Sequence, residues 1–186
     1  MIRADFGSLK IPSPGNPLFS AEKHGGAMLD IGIYALSFIC YFMTSFPEET
    51  VHFSFDHPSG VDEAWNIVLK NNHGELANIN LQFCAKLPKR AIIAGDRGYF
   101  LIHDYNRADT AFLIYPDGRE EQITAGTSSD AVSYEICAVE EAIASQSYEM
   151  SCLDITENAV RLIDTLLCSH RNTKIKRKKK GVTVQL

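Results

Sequence analysis

The sequence lacks a long uninterrupted apolar segment. No apolar run reaches the roughly 18 to 20 residues of a membrane span without an Asp, Gly or Pro. The first residues, Met-Ile-Arg-Ala-Asp-Phe, also lack the basic start and apolar centre of a signal peptide. These absences predict a cytoplasmic protein with no membrane partner.

Paired cysteine motifs and metal-binding motifs are missing as well. The five cysteines are spread along the chain, their number is odd, and no two form a C-x-x-C pair. Most lie in apolar patterns, where a free cysteine acts as a small hydrophobe, so we expect reduced structural thiols. The six histidines form no H-x-H or H-E-x-x-H pattern, so we expect no metal site.

The sequence contains no recognisable nucleotide-binding or nucleophile motif. There is no G-x-G-x-x-G after a strand, no Walker loop and no G-x-S-x-G elbow. A Ser-His-Asp arrangement built from separate elements stays open. The chain by itself is expected to bind no dinucleotide.

Positive charge is scarce outside the C-terminus. The formal net charge is −5, and six of the 18 Lys and Arg residues lie between positions 174 and 180. Without those six, the rest of the chain carries −11, which disfavours a nucleic-acid partner. The pattern predicts a domain at 1–173 and a solvated basic tail at 174–186.

Hydrophobic periodicity predicts an α+β fold. Alternation predicts a first strand at Met1–Phe6 and six or seven further strands between residues 50 and 124, the first of them with Val51, Phe53 and Phe55 on one face. Tight turns separate these strands, and the turn at Asn71–Gly74 predicts a hairpin. A helix ending near Ser145 and another at about Leu153–His170 close the chain. The apolar stripe of the last helix is predicted at Ile155, Ala159, Leu162, Ile163 and Leu166. We expect a largely antiparallel sheet of about six to eight strands, with helices on one face and the other face open to solvent or a partner.

The stretch from Gly25 to Leu36 contains the chemistry-bearing candidates. Two glycines precede an apolar run that is predicted to be helical until Ser45-Phe46-Pro47. On that helix Asp30 and Tyr34 are four residues apart and share a face. One interpretation makes Asp30 a helix-start residue and Tyr34 a core residue. The other makes them a functional pair facing a cavity, with the phenol as general acid or base, although the sequence offers no obvious cation beside it.

These residues resemble a known family. Gly25 to Tyr34 resembles the G-G-A-x-x-D-x-G-x-[YH] signature of the Gfo/Idh/MocA oxidoreductases, in the branch of the dimeric dihydrodiol dehydrogenases, which has Tyr where sugar and inositol dehydrogenases often have His. Further segments are similar in order and spacing: Asn16–Phe19, Gly60–Glu63, Ile93–Gly98, Tyr134-Glu135 and Ser151–Asp154.

The resemblance implies the C-terminal half of a two-domain NAD(P)-dependent enzyme. NAD or NADP would be bound mainly by an N-terminal Rossmann domain that this chain lacks, as it lacks the Glu-Lys-Pro motif that supplies a lysine; Glu22-Lys23-His24 does not match it. The resemblance makes Tyr34 the proton donor and Asp30 a catalytic and substrate-binding carboxylate.

The resemblance also assigns Gly26, Asn16 and Phe19 to substrate binding. The family often has Arg where Pro17 stands and a third glycine where His24 stands. These departures put the family's usual anionic or polyol contacts in question.

The expected function is therefore substrate binding and dimerisation in an oxidoreductase. The implied substrate is a small molecule, a sugar, polyol or diol-type carbonyl or alcohol. The implied partner is a second copy, in a homodimer or higher homo-oligomer formed through the open sheet face, and the chain alone should be inactive. The alternative is a non-catalytic oligomerisation or scaffold module in which Asp30 and Tyr34 are structural.

Overall fold

The computed structural model describes residues 1–13, 15–147 and 152–179, the last five of these without their side chains. Eight strands and three α-helices make up the fold. The strands are β1 (Ile2–Gly7), β2 (Glu49–Asp56), β3 (Asp62–Lys70), β4 (Leu76–Gln82), β5 (Arg90–Gly95), β6 (Gly98–His103), β7 (Thr110–Ile114) and β8 (Glu120–Thr124). The helices are α1 (Ile33–Phe42), α2 (Ala131–Ser145) and α3 (Leu153–Lys179).

All eight strands form one sheet in the order β2-β3-β4-β1-β5-β6-β7-β8. Strand β1 lies in the centre, parallel to β4 and antiparallel to β5. The other neighbours are antiparallel, as the tight turns predict. The predicted α+β fold with a largely antiparallel sheet is therefore confirmed.

One face of the sheet carries the hydrophobic core. Alternation along β1 places Ile2, Ala4 and Phe6 on the same face as the buried Ile67 and Ile79 of β3 and β4. Helices α1 and α3 pack on this face and on each other. Of the predicted apolar stripe of α3, Ala159, Leu162, Ile163 and Leu166 are buried, whereas Ile155 is only partly buried.

The opposite face of the sheet is open, as predicted. Polar Asn78 and Asn80 of β4 alternate there with buried residues of the core face. On the edge strand β2 the side chains of Val51, Phe53 and Phe55 are 60%, 73% and 49% exposed. Isolated exposed apolar residues are common, but a row of three on one edge strand marks a candidate partner surface.

The buried carboxylate of Asp5 lies at the centre of this open face. Arg3 and Arg90 form ion pairs with it at 3.1 and 3.5 Å, and the Asn80 amide donates a hydrogen bond at 2.7 Å. A buried charge needs such partners, so this part of the open face is polar and internally compensated.

The helices differ from the predictions at three ends. The first helix begins with a π-helical turn at Met28–Gly32 and ends at Phe42, because Met43 is extended and Glu75 binds the Thr44 N–H and hydroxyl. The predicted continuation to Ser45 is wrong.

Helix α3 does not end near His170 but continues to Lys179. The Lys174 ammonium lies 2.6 Å from Asp56, and His170 also contacts Asp56, so the sheet edge holds this part of the helix. Part of the predicted basic tail is therefore helical, and residues 180–186 lie outside the described residues. The domain boundary at 173 stays a prediction.

Helix α2 has the predicted end at Ser145, but it packs little. Ala142 is its buried residue, whereas Val132, Tyr134, Ile136, Val139 and Ile143 are more than half exposed. The five cysteines are free thiols, as predicted, but Cys137 and Cys168 are exposed and do not act as packed structural residues. Among the described residues, no helix is long and apolar enough to span a bilayer.

Candidate active site

The start of the first helix is fixed to strand β3 by a buried carboxylate. Oδ2 of Asp62 accepts hydrogen bonds from the Met28 backbone N–H and from Trp65 Nε1, both at 2.7 Å. The first N–H groups of a helix have no partner within the helix, so a carboxylate at this end satisfies one of them. Asp62 therefore positions the segment that bears Asp30 and Tyr34.

Two glycines allow the helix start to approach its neighbours closely. Gly26 has φ = +126°, a conformation that side chains rarely adopt, and a Cβ there would collide with the Asp62 carboxylate. A Cβ on Gly32 would lie 2.8 Å from Met28 Sδ and 3.1 Å from a methyl group of Leu81 in β4. Gly26, predicted to bind substrate, is buried here and lies against Asp62.

Asp30 lies in the π-helical turn and contacts a lysine. The prediction of a regular α-helix at this point is wrong, and the angular offset between Asp30 and Tyr34 therefore differs from that of two α-helical positions four residues apart. Single π-helical turns are rare and occur frequently at functional sites. The Lys10 ammonium lies 3.4 Å from Asp30 Oδ2, with both side chains 30% exposed.

Tyr34 projects from the first turn of α1 and is 47% exposed. Its ring stacks on Phe6 of β1 with 5.7 Å between ring centroids and 15° between planes. Lys89 lies over the same Phe6 ring, 4.9 Å from its centroid. The Tyr34 hydroxyl has no hydrogen-bond partner within the described part of the chain, so the ring is held while the phenol stays available.

A cavity of about 700 Å³ opens beside Tyr34. The exposed side of α1 forms one wall, strands β6 to β8 with their connections form another, and the segment at the start of α3 contributes Cys152, Ile155 and Thr156. The lining is mostly apolar, with Tyr34, Phe38, Tyr41, Phe42, Ile102 and Tyr105 contributing large side chains. This size and character are typical of small-molecule sites.

Besides the tyrosines of α1, three titratable residues line the cavity: Tyr105, Asp109 and Cys152. Hydrogen bonds from the Ser128 backbone N–H and the Thr110 hydroxyl lower the pKa of Asp109, so this group is a carboxylate at neutral pH. Burial, assisted by the Asp5 carboxylate, raises the pKa of Tyr105. Tyr105 is therefore a neutral wall residue that packs edge-on against Phe6 and Phe38.

The structure does not bring all predicted site residues together. Tyr34 lines the 700 Å³ cavity, whereas Asp30 lies outside its lining. Asn16 and Phe19 line a separate cavity, and the Asn16 amide is already bonded to Leu18 N and Ile11 O within its own loop. Their assignment to substrate binding stays a prediction.

Sequence reasoning missed Lys10 and the role of Asp62. The family's Glu-Lys-Pro motif, which supplies a lysine, is absent from this chain. Lys10 instead reaches Asp30 from the connection that follows β1. The sequence did contain a signal for Lys10. A basic residue directly after a central strand lies near the elements that pack on the end of that strand. In the sequence, Asp62 is one residue of the Gly60–Glu63 segment that resembles the family, and the resemblance assigns it no role.

The fold and these residues define the class of protein: an α+β domain that offers a phenol and a carboxylate at the start of a helix. Residues 1–101 match the family model described as the GFO/IDH/MocA C-terminal domain. The chain belongs to this family, which confirms the resemblance detected in its sequence.

Curated relatives are dehydrogenases. The chain is 33% identical over 117 residues to the trans-1,2-dihydrobenzene-1,2-diol dehydrogenase of Danio rerio, covering 61% of this chain and 34% of that protein. It is 28% identical over 134 residues to the Xenopus laevis enzyme of the same name, covering 72% of this chain and 39% of that protein. The chain therefore spans little more than a third of the curated relatives it matches.

Solved structures share the fold. The aldose-aldose oxidoreductase of Caulobacter crescentus, complexed with glycerol, has a TM-score of 0.75 at 19% identity over all of this chain and 55% of that one. KijD10, a 3-ketoreductase from Actinomadura kijaniata in complex with NADP and TDP-benzene, has a TM-score of 0.70 at 20% identity, over 88% of this chain and 51% of that one. At these identities the likeness establishes the fold alone.

Proposed function

We propose that this chain is the substrate-binding and dimerising domain of an NAD(P)-dependent oxidoreductase that interconverts an alcohol and a carbonyl. The observation that carries the proposal is Tyr34, a half-exposed phenol with no partner in the described residues, held at the edge of a 700 Å³ apolar cavity. A core tyrosine would be enclosed, with its hydroxyl bonded to the protein.

Tyr34 is the proton donor in carbonyl reduction and the acceptor in the reverse reaction. Stacking on Phe6 fixes the ring plane, so that a carbonyl oxygen in the cavity can approach the hydroxyl without reorganising the protein. The Lys89 ammonium lies over the same Phe6 ring, 4.9 Å from its centroid, and helps to fix the ring on which Tyr34 stacks.

Asp30 lies outside the lining of that cavity, so it serves as an acceptor for a substrate hydroxyl that extends from the cavity towards the π-helical turn. Lys10 engages its Oδ2, whereas its Oδ1 has no partner within the described residues. A carboxylate anchored through one oxygen presents the other in a fixed direction. Lys10 is then a positioning residue.

The described residues provide space for the nicotinamide ring of the cofactor but no site for its phosphates. The cavity beside Tyr34 has the apolar lining and the size to accept a flat ring next to a small substrate, and Tyr34 and Phe38 are among the residues that would line it. NAD or NADP, when bound, supplies or accepts the hydride. The residues that hold its phosphates belong to a separate dinucleotide-binding domain.

The open sheet face is the proposed dimerisation surface. Its edge strand exposes Val51, Phe53 and Phe55, and its buried Asp5 is already compensated by Arg3 and Arg90. A second copy covering this face would remove apolar side chains from water, and the buried Asp5 would keep its ion-pair partners.

Replacing Tyr34 by Phe in the enzyme that joins this domain to its dinucleotide-binding domain tests the proposal. Loss of a general acid should lower kcat about 10²- to 10⁴-fold with little change in KM, because the ring and its stacking on Phe6 are retained. Steady-state kinetics with NADPH and a diol-derived ketone measure both constants.

Tyr115→Phe is the matched control, because it also removes a phenolic hydroxyl, from a residue in the β7–β8 connection. Unchanged turnover for Tyr34→Phe would remove the catalytic role. If Tyr34→Phe keeps both its turnover and its dimerisation, the alternative of a non-catalytic assembly module is favoured.

A further inference from the structure

A second cavity, of about 510 Å³, lies between the loop that precedes the first helix and the turn from β2 to β3. It shares no lining residue with the cavity beside Tyr34. The loop contributes Pro12, Ser13, Gly15, Asn16, Phe19, Ser20 and Lys23, and the turn contributes His57 and Ser59. The proposed reaction uses none of its ionisable groups.

The charge of this cavity differs from that of the chain. Lys23 lines it, whereas its described lining contains neither Asp nor Glu. Lys23 forms no ion pair with the described residues, although the chain as a whole has a net charge of −5. Lys23 is an exposed residue, and an unpaired ammonium at the edge of a pocket free of carboxylates favours an anionic ligand.

Local hydrogen bonds set the tautomer of His57. The Ser59 backbone N–H can only donate, and it donates to His57 Nδ1 at 3.1 Å. The neutral imidazole therefore carries its proton on Nε2. Nε2 has no partner in the described part of the chain, and the ring is oriented by an edge-to-face contact with Phe19, 4.7 Å between centroids.

The other polar groups of the lining are hydroxyls or are already used. The Asn16 amide is bonded within the loop through both its oxygen and its nitrogen. The hydroxyls of Ser13 and Ser20 have no partners among the described residues. The free groups are thus one ammonium, one imidazole N–H and two hydroxyls, all of which can donate to an oxyanion.

We propose that this cavity binds a phosphate group, carried either by inorganic phosphate or by a small phosphate monoester. A tetrahedral phosphate offers several oxygens, and Lys23, His57 and the hydroxyls of Ser13 and Ser20 supply donors from the loop and from the turn. Bound phosphate would join the loop to the β2–β3 turn. This site is independent of the Tyr34 chemistry.

The test titrates the chain with sodium phosphate against sodium chloride of equal ionic strength, following backbone amide and His57 ring resonances by NMR. Saturable shifts confined to the loop and the turn are expected. Lys23→Met should weaken phosphate binding about tenfold, because it removes a charge-assisted hydrogen bond. Lys86→Met removes the same charge from the exposed β4–β5 connection and should leave the affinity unchanged.

His57→Asn supplies a second, independent variant. The Asn oxygen can still accept the Ser59 N–H, but the donor at the Nε2 position is lost, so an affinity about threefold or more weaker is expected. Glucose 6-phosphate distinguishes the two sources: tighter binding than inorganic phosphate indicates a monoester, and equal binding indicates the free anion.

Three results would overturn the proposal. The first is phosphate binding no stronger than chloride binding. The second is an equal effect of Lys23→Met and Lys86→Met. The third is acetate competing as well as phosphate at equal concentration, because the site would then lack selectivity for a phosphate group.

Discussion

The carboxylate of Asp62 and the backbone N–H of Met28 form a buried 2.7 Å hydrogen bond across 34 residues of sequence. This bond joins the first residue of strand β3 to the first turn of the helix that carries Asp30 and Tyr34. The same carboxylate oxygen binds Trp65 Nε1, so β3 determines where the helix begins.

Removing this carboxylate should destabilise the whole domain. In Asp62→Ala the Met28 N–H and the Trp65 indole N–H lose their acceptor, which costs about 2 to 5 kcal/mol of unfolding free energy. Asp62→Asn keeps an acceptor oxygen and should therefore recover much of the stability that Asp62→Ala loses. Urea unfolding measures both, with exposed Asp96→Ala as control, and equal stabilities for Asp62→Ala and Asp96→Ala would contradict the assigned role.

Two effects of replacing Gly26 on the free energy of unfolding can be measured separately: the collision of a Cβ with its neighbours and the strain of positive φ. Gly26 and Gly60 both have positive φ, but a Cβ meets Asp62 at Gly26 and open space at Gly60. Gly60→Ala should therefore cost about 1 to 2 kcal/mol, from strain alone. Gly26→Ala should cost at least about 2 kcal/mol more, because the carboxylate must move. Thermal and urea unfolding measure the free energy of unfolding of both variants. Equal losses for Gly26→Ala and Gly60→Ala would show that a Cβ at position 26 does not collide with Asp62.

The row of apolar residues on β2 should control self-association. Phe53→Lys places a charge at the most exposed residue of the row and should weaken dimerisation by about tenfold or more. Val132→Lys makes the same kind of change on the exposed surface of α2 and should have no effect. Sedimentation equilibrium measures the dissociation constants. A monomeric unmodified chain, or dimers insensitive to Phe53→Lys, would exclude this surface.

Glu75 should contribute a pH-dependent part of the stability. Burial opposes its ionisation, but hydrogen bonds from the Thr44 N–H, the Thr44 hydroxyl and the Asn71 amide outweigh this effect and lower the pKa of Glu75 below 4.5. A pKa lowered by folding stabilises the protein above the unfolded-state value. The contribution is therefore complete above about pH 4.5 and is lost as pH falls through the lower folded-state pKa.

Glu75→Gln should reduce the dependence of unfolding free energy on pH between neutral pH and pH 3 or so. Glu48→Gln, at an exposed position near the start of β2, is the matched control. Urea unfolding at several pH values measures the dependence. A slope unchanged by Glu75→Gln and equal to that of Glu48→Gln would show that the hydrogen bonds to Glu75 do not couple its ionisation to folding.

The periodic elements of the fold could be predicted because their signals are local. Alternation in Val51, Phe53 and Phe55 predicted strand β2, and the Asn71–Gly74 turn predicted the β3–β4 hairpin. The stripe of Ala159, Leu162 and Leu166 predicted a buried helix face. Helix ends were less predictable, since Glu75 ends the first helix and Asp56 extends the last one from distant parts of the chain.

For the candidate site, the sequence identified Asp30 and Tyr34 as residue types in a family pattern, but not their surroundings. Asp30 proved to lie in a π-helical turn beside Lys10, and Tyr34 on Phe6 at a cavity that Asp30 does not line. The side-chain pattern does not encode a π-helical turn, and ion pairs between distant segments carry no periodic signal.

The sequence by itself determined the strands, the helices, the open face of the sheet and the family, because apolar spacing and a glycine-bounded signature are properties of neighbouring residues. Only the tertiary structure decided that Asp62 holds the helix start, that Lys10 meets Asp30 and that His57 and Lys23 share a cavity. Those relationships arise when the sheet brings residues from different strands and loops within hydrogen-bond distance, which a linear pattern does not specify.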